Sequence, residues 1–330
     1  MRLPPPVRAC RLILAGIACA ATVFGPRPAP AQSPPKLLLA FSSYREDLGY
    51  PRVYFYQHDG VSSGSLVGGI PPGTTRSDHR PALSRSGRFC ATTQEVVGKV
   101  SQLGLWDREE RKALELPNLG AGVADLGPSI SADGQLLAFS SWRRPGPGGW
   151  NVFLYHRDGG KVEMPEGLNS EADDRMPALS ADGRYLAFAS SRPGGAGLSD
   201  IYLYDRQAKV LVPLPGLNGP RSEVEPALNG DGRYLAFVSA RPGGAGQLDV
   251  YLYDRQSRGL VPLPGLNSEG PEQAPSLTAD GRYLAFVSER LGGAGGRDIY
   301  LYDRQAGKLL PTPGLNSERD DVDPAIVALE

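Results

Sequence analysis

The chain has 330 residues, 35 basic against 36 acidic side chains and a formal net charge of −1. That balance argues mildly against a nucleic-acid or anionic-lipid partner. Three cysteines in such a length exclude a disulfide-built scaffold, and no long stretch of the repeat region alternates at helical spacing.

Residues 1–31 read as a secretory signal. Arg2, Arg8 and Arg11 precede an apolar run over residues 12–24, and Ala29-Pro30-Ala31 offers small residues for cleavage. The run is short for a membrane span, so stable insertion is not expected. Lipidation at Cys19 is disfavoured, because Gly16 stands where such an anchor carries a large aliphatic residue. Cleavage removes Cys10, Cys19 and four arginines but no acid, which leaves 31 basic against 36 acidic groups and a net charge of −5. The mature chain then holds Cys90 alone, without an internal disulfide. Within a strand, Cys90 is expected to be a small buried apolar residue. Residues 32–35 form a short Pro-rich leader.

From Lys36 onward one unit repeats. KLLLAFSS (Lys36–Ser43) and RVYFYQHDG (52–60) read as a second and a third strand with no first. Units then start at Pro81, Pro128, Pro177, Pro226 and Pro275, spaced by 47 residues once and by 49 thereafter. The sequence stops on PAIVALE (324–330), a first strand with nothing after it. A period of this size marks an array of one supersecondary unit.

In the copy from Pro177, PALS is a first strand and Asp182-Gly183 a tight turn. RYLAFAS is a second strand, apolar on both faces, and residues 193–197 are a Gly-rich loop. DIYLYD is a third strand, and residues 210–214 are a short fourth strand whose Pro213 suits a sheet edge. Four strands repeated radially make a propeller blade. The expected fold is all-β, a six-bladed β-propeller of four-stranded antiparallel blades over residues 36–330. Its split blade joins 324–330 to 36–79 and closes the ring. The tyrosine pairs Tyr202/Tyr204, Tyr251/Tyr253 and Tyr300/Tyr302 are expected to pack between blades.

The pattern SADGRYLAFxSxRxGGxGxxDIYLYDR resembles the repeat of the TolB-like propellers of bacterial envelopes, with their S-P-D-G turn, aliphatic second strand and D-I-Y third strand. The resemblance spans Lys36 to Glu330. Ala132, Ala181 and Ala279 stand where the family has the turn proline, and no counterpart is expected for the α/β domain that precedes the propeller in TolB itself. The resemblance implies a periplasmic or secreted protein that binds a protein or peptide of the cell envelope, without implying a place in the Tol system. A monomer is expected.

Three residues before each unit's starting proline stands an acid: Asp78, Asp125, Asp174, Glu223, Glu272 and Asp321. A propeller's first strands line its channel, so these acids are expected near one channel mouth. Two arrangements are open. Unpaired, the carboxylates form a ring that attracts Ca²⁺ or a cationic peptide end, with some of them protonated. Paired with Arg45, Arg143, Arg192, Arg241 and Arg290 from the loops after the second strands, they form a structural ladder. The expected exception is Asp125, whose blade has an altered loop at 142–150.

A second acidic group, Glu318, Asp320, Asp321 and Asp323, is a further Ca²⁺ candidate that lacks EF-hand spacing, and no other cofactor is expected. His79, beside Asp78, is the one histidine placed near the mouth. The Asn-Ser-Glu copies beginning at Asn169, Asn267 and Asn316 suit Asx turns. The Gly-rich loops suit tight geometry, because no helix follows to hold an anion. No HExxH or Cys-x-x-Cys motif occurs. Together these features favour a non-enzymatic binding or scaffold protein that uses one propeller face and its channel mouth. The alternative is a propeller hydrolase or lyase acting there on a small or saccharide substrate.

Overall fold

A computed structural model describes Met1 and residues 34–46, 48–71, 77–95, 99–119 and 122–329. The signal segment beyond Met1, its Cys10 and Cys19, and residues 32–33 of the leader lie outside the described residues.

Among the described residues the strands form six four-stranded antiparallel sheets arranged as the blades of a propeller. Blade one runs from Ser77–Leu83 to Lys112–Leu114, blade two from Asp125–Ile130 to Lys161–Glu163, and blade three from Asp174–Leu179 to Val210–Val212. Blade four runs from Glu223–Leu228 to Gly259–Val261, and blade five from Glu272–Leu277 to Lys308–Leu310. In the sixth blade Asp321–Leu329 is the first strand. It pairs with Lys36–Ser43, from Lys36↔Leu329 to Ser43↔Asp321, and Arg52–His58 and Gly64–Gly69 complete that sheet. The two ends of the propeller thus share one sheet, which leaves no blade face open.

Two boundaries differ from expectation. The fourth strand of blade three ends at Val212, and Pro213, with no N–H to donate, falls just outside it. The first strand begins at Asp174, three residues before PALS, and its pairing with the second strand shifts register between Arg175 and Ala178. That bulge recurs in every blade.

Apolar residues on both faces of the second and third strands put the core between blades. Leu186, Phe188 and Tyr204 of blade three pack on Leu136, Ala138 and Leu154 of blade two. The opposite side of the same sheet, Ala187 and Leu203, meets Leu235 and Phe237 of blade four. Polar contacts cross the same seams. Tyr253 and Tyr302 each donate a hydroxyl to the backbone of the preceding blade, at Pro215 and Pro264 (2.9 Å each). Arg255 and Arg304 lie 4.2 and 4.1 Å over the rings of Tyr185 and Tyr234. Cys90 is fully buried, and burial pushes its thiol up to about 12, so it is inert packing.

The tight turns meet at one channel mouth. Ala132 N–H donates to Ala181 O (2.8 Å), Ala181 N–H to Gly230 O (2.8 Å) and Gly230 N–H to Ala279 O (2.9 Å), with Arg85 N–H reaching Ala132 O (3.2 Å). This blade-to-blade chain needs a backbone donor at Arg85, Ala132, Ala181 and Gly230. Proline has none, which gives a physical reason for alanine where the similar repeats carry proline.

Candidate functional site

The antiparallel order places the start of each first strand and the loop between second and third strands on the opposite face. Five of the six repeated acids meet their arginines there. Asp321 binds Arg45 at 2.9 Å, Asp125 binds Arg143 at 2.5 Å and Asp174 binds Arg192 at 2.7 Å. Glu223 binds Arg241 at 3.1 Å and Glu272 binds Arg290 at 3.3 Å. All six acids, Asp78 included, are at most 2% exposed.

Each pair is one knot of a larger net. The second oxygen of Asp174 accepts Ser170 N–H (2.6 Å) and Ser170 Oγ–H (3.0 Å). Arg192 also donates to Ser190 Oγ (2.9 Å) and Leu168 O (2.7 Å), and lies over the rings of Phe188 and Tyr202. Carboxylate, guanidinium and ring thereby tie three segments of one blade together.

Asp125 was the expected exception, and the structure corrects this: the altered loop of blade two still delivers Arg143. The departure falls at Asp78, where Gln94 Nε2 donates at 2.8 Å. The position that the 18-residue spacing assigns to an arginine is Val96 there. The other acidic group does not converge either. Asp320 is held by Arg297 (2.7 Å), Asp321 by Arg45, and Asp323 accepts Ser42 Oγ–H (3.2 Å), while Glu318 is exposed. Among the described residues no three metal-type side chains come together.

One smaller reading also changes. Asn169, Asn267 and Asn316 do not turn back on their own backbone. Asn267 accepts Val250 N–H and donates to Val250 O (3.0 Å each), and Asn169 and Asn316 do the same to Val152 and Ile299. The amide thus mimics one rung of a sheet ladder. Residues 60–64, GVSSG, fit the G-x-S-x-G pattern of esterase nucleophiles. They lie in a hairpin of the closing blade, where Asp59 accepts the N–H groups of Val61, Ser62 and Ser63. Such a hairpin lacks the strand-to-helix elbow that would make Ser62 a nucleophile. The Gly-rich loops are as tight as expected: a Cβ on Gly197 would collide with Arg221 O.

A second ring of residues sits two positions past the acids. Arg80, Gly127, Met176, Glu225, Ala274 and Asp323 all have φ between 49° and 59°, and each is followed by the proline that lines the channel. A left-handed non-glycine residue costs about 1 kcal/mol or more and is rarer still before proline. The bulge is held from outside: Ser42, Thr93 and Ser140 hydroxyls accept the N–H groups of Arg80, Gly127 and Met176 in the following blade. In blade four Val238 takes the hydroxyl's place, and Glu225 accepts Ala274 N–H instead (2.7 Å).

Four of these six residues line a cavity of about 300 Å³ together with His79, Glu95, Gln273 and Arg297. Burial raises the Glu225 carboxyl above its ordinary range, and nearby Asp323 adds to the rise. Burial lowers the His79 imidazole, which favours its neutral form. His79 Nε2 is buried without a hydrogen bond and lies 3.8 Å from Glu95. The residue singled out beside Asp78 is therefore at the mouth, among partners that the repeat pattern did not indicate. The signal was present nonetheless. Blades three to five are nearly identical, yet they read Arg175-Met176, Val224-Glu225 and Gln273-Ala274 at these two positions.

No protein-family profile matches the chain, and none of the curated proteins compared with it matches by sequence. Solved structures do match in fold. TolB from Acinetobacter baumannii superposes with a TM-score of 0.63 at 17% identity, covering 89% of this chain and 67% of that one. A TolB candidate from Agrobacterium tumefaciens gives 0.55 at 16% identity, covering 88% and 96%. An oligogalacturonate lyase in complex with manganese gives 0.54 at 14% identity, covering 82% and 72%. The fold is that of a TolB-like six-bladed propeller, and at these identities the likeness extends to the fold alone.

Proposed function

We propose that this chain is an exported, monomeric, non-enzymatic binding protein of the bacterial cell envelope, which docks a protein or peptide partner on the face around the charged cavity. One observation carries the reading. The loops between second and third strands expose apolar side chains on that face in five blades: Leu48, Val100, Trp142, Leu198 and Leu291. Leu198 and Leu291 are 82% and 99% exposed. Single exposed apolar residues are ordinary, but a circle of them around a polar mouth is the anatomy of an interaction surface. No helix among the described residues is long and apolar enough to cross a membrane.

The second reading, a channel-mouth hydrolase or lyase, draws on the non-repeated His79, Arg80, Glu225 and Asp323. Against it, His79 Nε2 has no hydrogen-bonded hydroxyl or thiol among the described residues, so no nucleophile–base pair is assembled on it. Pull-down from envelope extract tests the favoured reading, comparing wild type with a Trp142→Ser, Leu198→Ser, Leu291→Ser variant. A partner retained by wild type and lost by the variant is expected. Equal capture by both contradicts docking on this face.

A further inference from the structure

The cavity at the channel mouth is asymmetric in charge, and the asymmetry follows blade order. Arg80 belongs to blade one and Glu225 to blade four, so they stand on opposite sides of a six-membered ring, while Asp323 is Arg80's neighbour. The Arg80 side chain is exposed, and its guanidinium has no hydrogen-bond or ion-pair partner among the described residues. The other arginine of the cavity, Arg297, is already held by Asp320 at 3.0 and 2.7 Å. Glu225 has only the Ala274 N–H and Asp323 only the Ser42 hydroxyl as hydrogen-bond partners, so neither carboxyl has a cation in contact among the described residues. His79 Nε2 adds a buried polar atom with an unused hydrogen bond.

We propose that this cavity binds a dipolar ligand of the amino-acid and short-peptide class, with its carboxylate on Arg80 and its ammonium group across the ring at Glu225. A lone anion would meet Glu95, Glu225 and Asp323 in the same space, and a bare divalent cation would meet Arg80 without three converging metal-type ligands. A ligand carrying both charges satisfies both sides at once and brings an amide or carboxylate oxygen to His79. At about 300 Å³ the space stands at the lower end of small-molecule sites, which fits one or two residues. Divergence among otherwise duplicated blades at these same positions agrees with a site that needs a different side chain from each blade.

This inference rests on the loop face being a docking surface, since it names what enters the centre of that surface. Titration calorimetry on the full mature chain tests it with dialanine, N-acetyl-dialanine and dialanine amide. Dialanine is expected to bind, and blocking either end is expected to weaken binding about tenfold or more, the worth of one charge-assisted contact. Glu225→Gln and Arg80→Gln are each expected to weaken dialanine by a similar factor, with Arg80→Lys retaining part of it. Circular dichroism is expected to show both variants folded, because Arg80 is exposed and Gln keeps the carbonyl that accepts Ala274 N–H. Absence of dialanine binding up to about 10 mM overturns the proposal, as does equal affinity for the blocked forms. If dialanine fails while partner capture still depends on Trp142, Leu198 and Leu291, the cavity inference falls and the docking face stands.

Discussion

Asp174→Asn tests whether the repeated acids hold the fold. Asp174 is fully buried and accepts from Arg192 (2.7 Å), Ser170 N–H (2.6 Å) and Ser170 Oγ–H (3.0 Å). An asparagine keeps one oxygen, so at least one of these donors loses its acceptor, at a cost of about 1–3 kcal/mol. The arginine also loses its counter-charge, and breaking a buried pair costs about 3–5 kcal/mol. Arg192 keeps Leu168 O and two aromatic rings and is 13% exposed, which places the total near the lower end, about 3 kcal/mol. At about 2 °C per kcal/mol for a chain of this size, the melting temperature should fall by about 6 °C. Urea unfolding followed by far-ultraviolet circular dichroism measures the same loss as a lower midpoint. An unchanged or higher midpoint would refute the ladder, because it would mean that the carboxylates repel one another.

The other predictions follow from the same geometry. Millimolar Ca²⁺ is expected to leave the melting temperature unchanged, and a rise that disappears in an Asp174→Asn, Glu223→Gln variant would mean that the ring binds the ion. Removing residues 324–330 should expose the edge of Lys36–Ser43 and produce aggregation on light scattering, whereas a monomer of unchanged melting temperature would contradict closure by that strand. Ala181→Pro should cost about 1–3 kcal/mol by leaving Gly230 O without its donor, measured by the urea midpoint. Asp107, Asp205 and Asp254 are held low by their hydrogen bonds to Arg88, Arg184 and Arg233, Asp254 at about 2 against an ordinary 3.8. The stabilisation from Asp254 is complete above the ordinary value and is lost as pH falls through about 2, so a melting temperature that rises as pH falls across that range would contradict it.

The six blades were legible because the repeat is long, nearly exact and cut mid-unit at both ends of the propeller. The acid–arginine ladder was legible for a related reason: a constant 18-residue offset within one blade puts both groups at the same end of adjacent strands. The second ring was not. Residues before proline favour extended backbone, so Met176, Glu225 and Asp323 read as ordinary strand positions. Hydroxyls of the preceding blade, such as Ser140 on Met176 N–H, are what hold such residues in the left-handed region, and a sequence does not display that contact. Asp125 was misjudged for the opposite reason. The altered loop of its blade changes composition beyond Arg143 but keeps the length of the loops in blades three to five, and Arg143, fixed by Ser141 Oγ, stays in place.

The account separates a repeated ring that holds the blades from a non-repeated ring, two residues on, that faces a ligand. Parallel dialanine titration of wild type, Asp174→Asn and Glu225→Gln tests that separation most directly, at a temperature where all three are folded. Asp174→Asn is expected to bind like wild type despite its lower stability, and Glu225→Gln to lose binding while unfolding no earlier than wild type. The reverse pattern, with binding lost at Asp174 and kept at Glu225, would contradict the account.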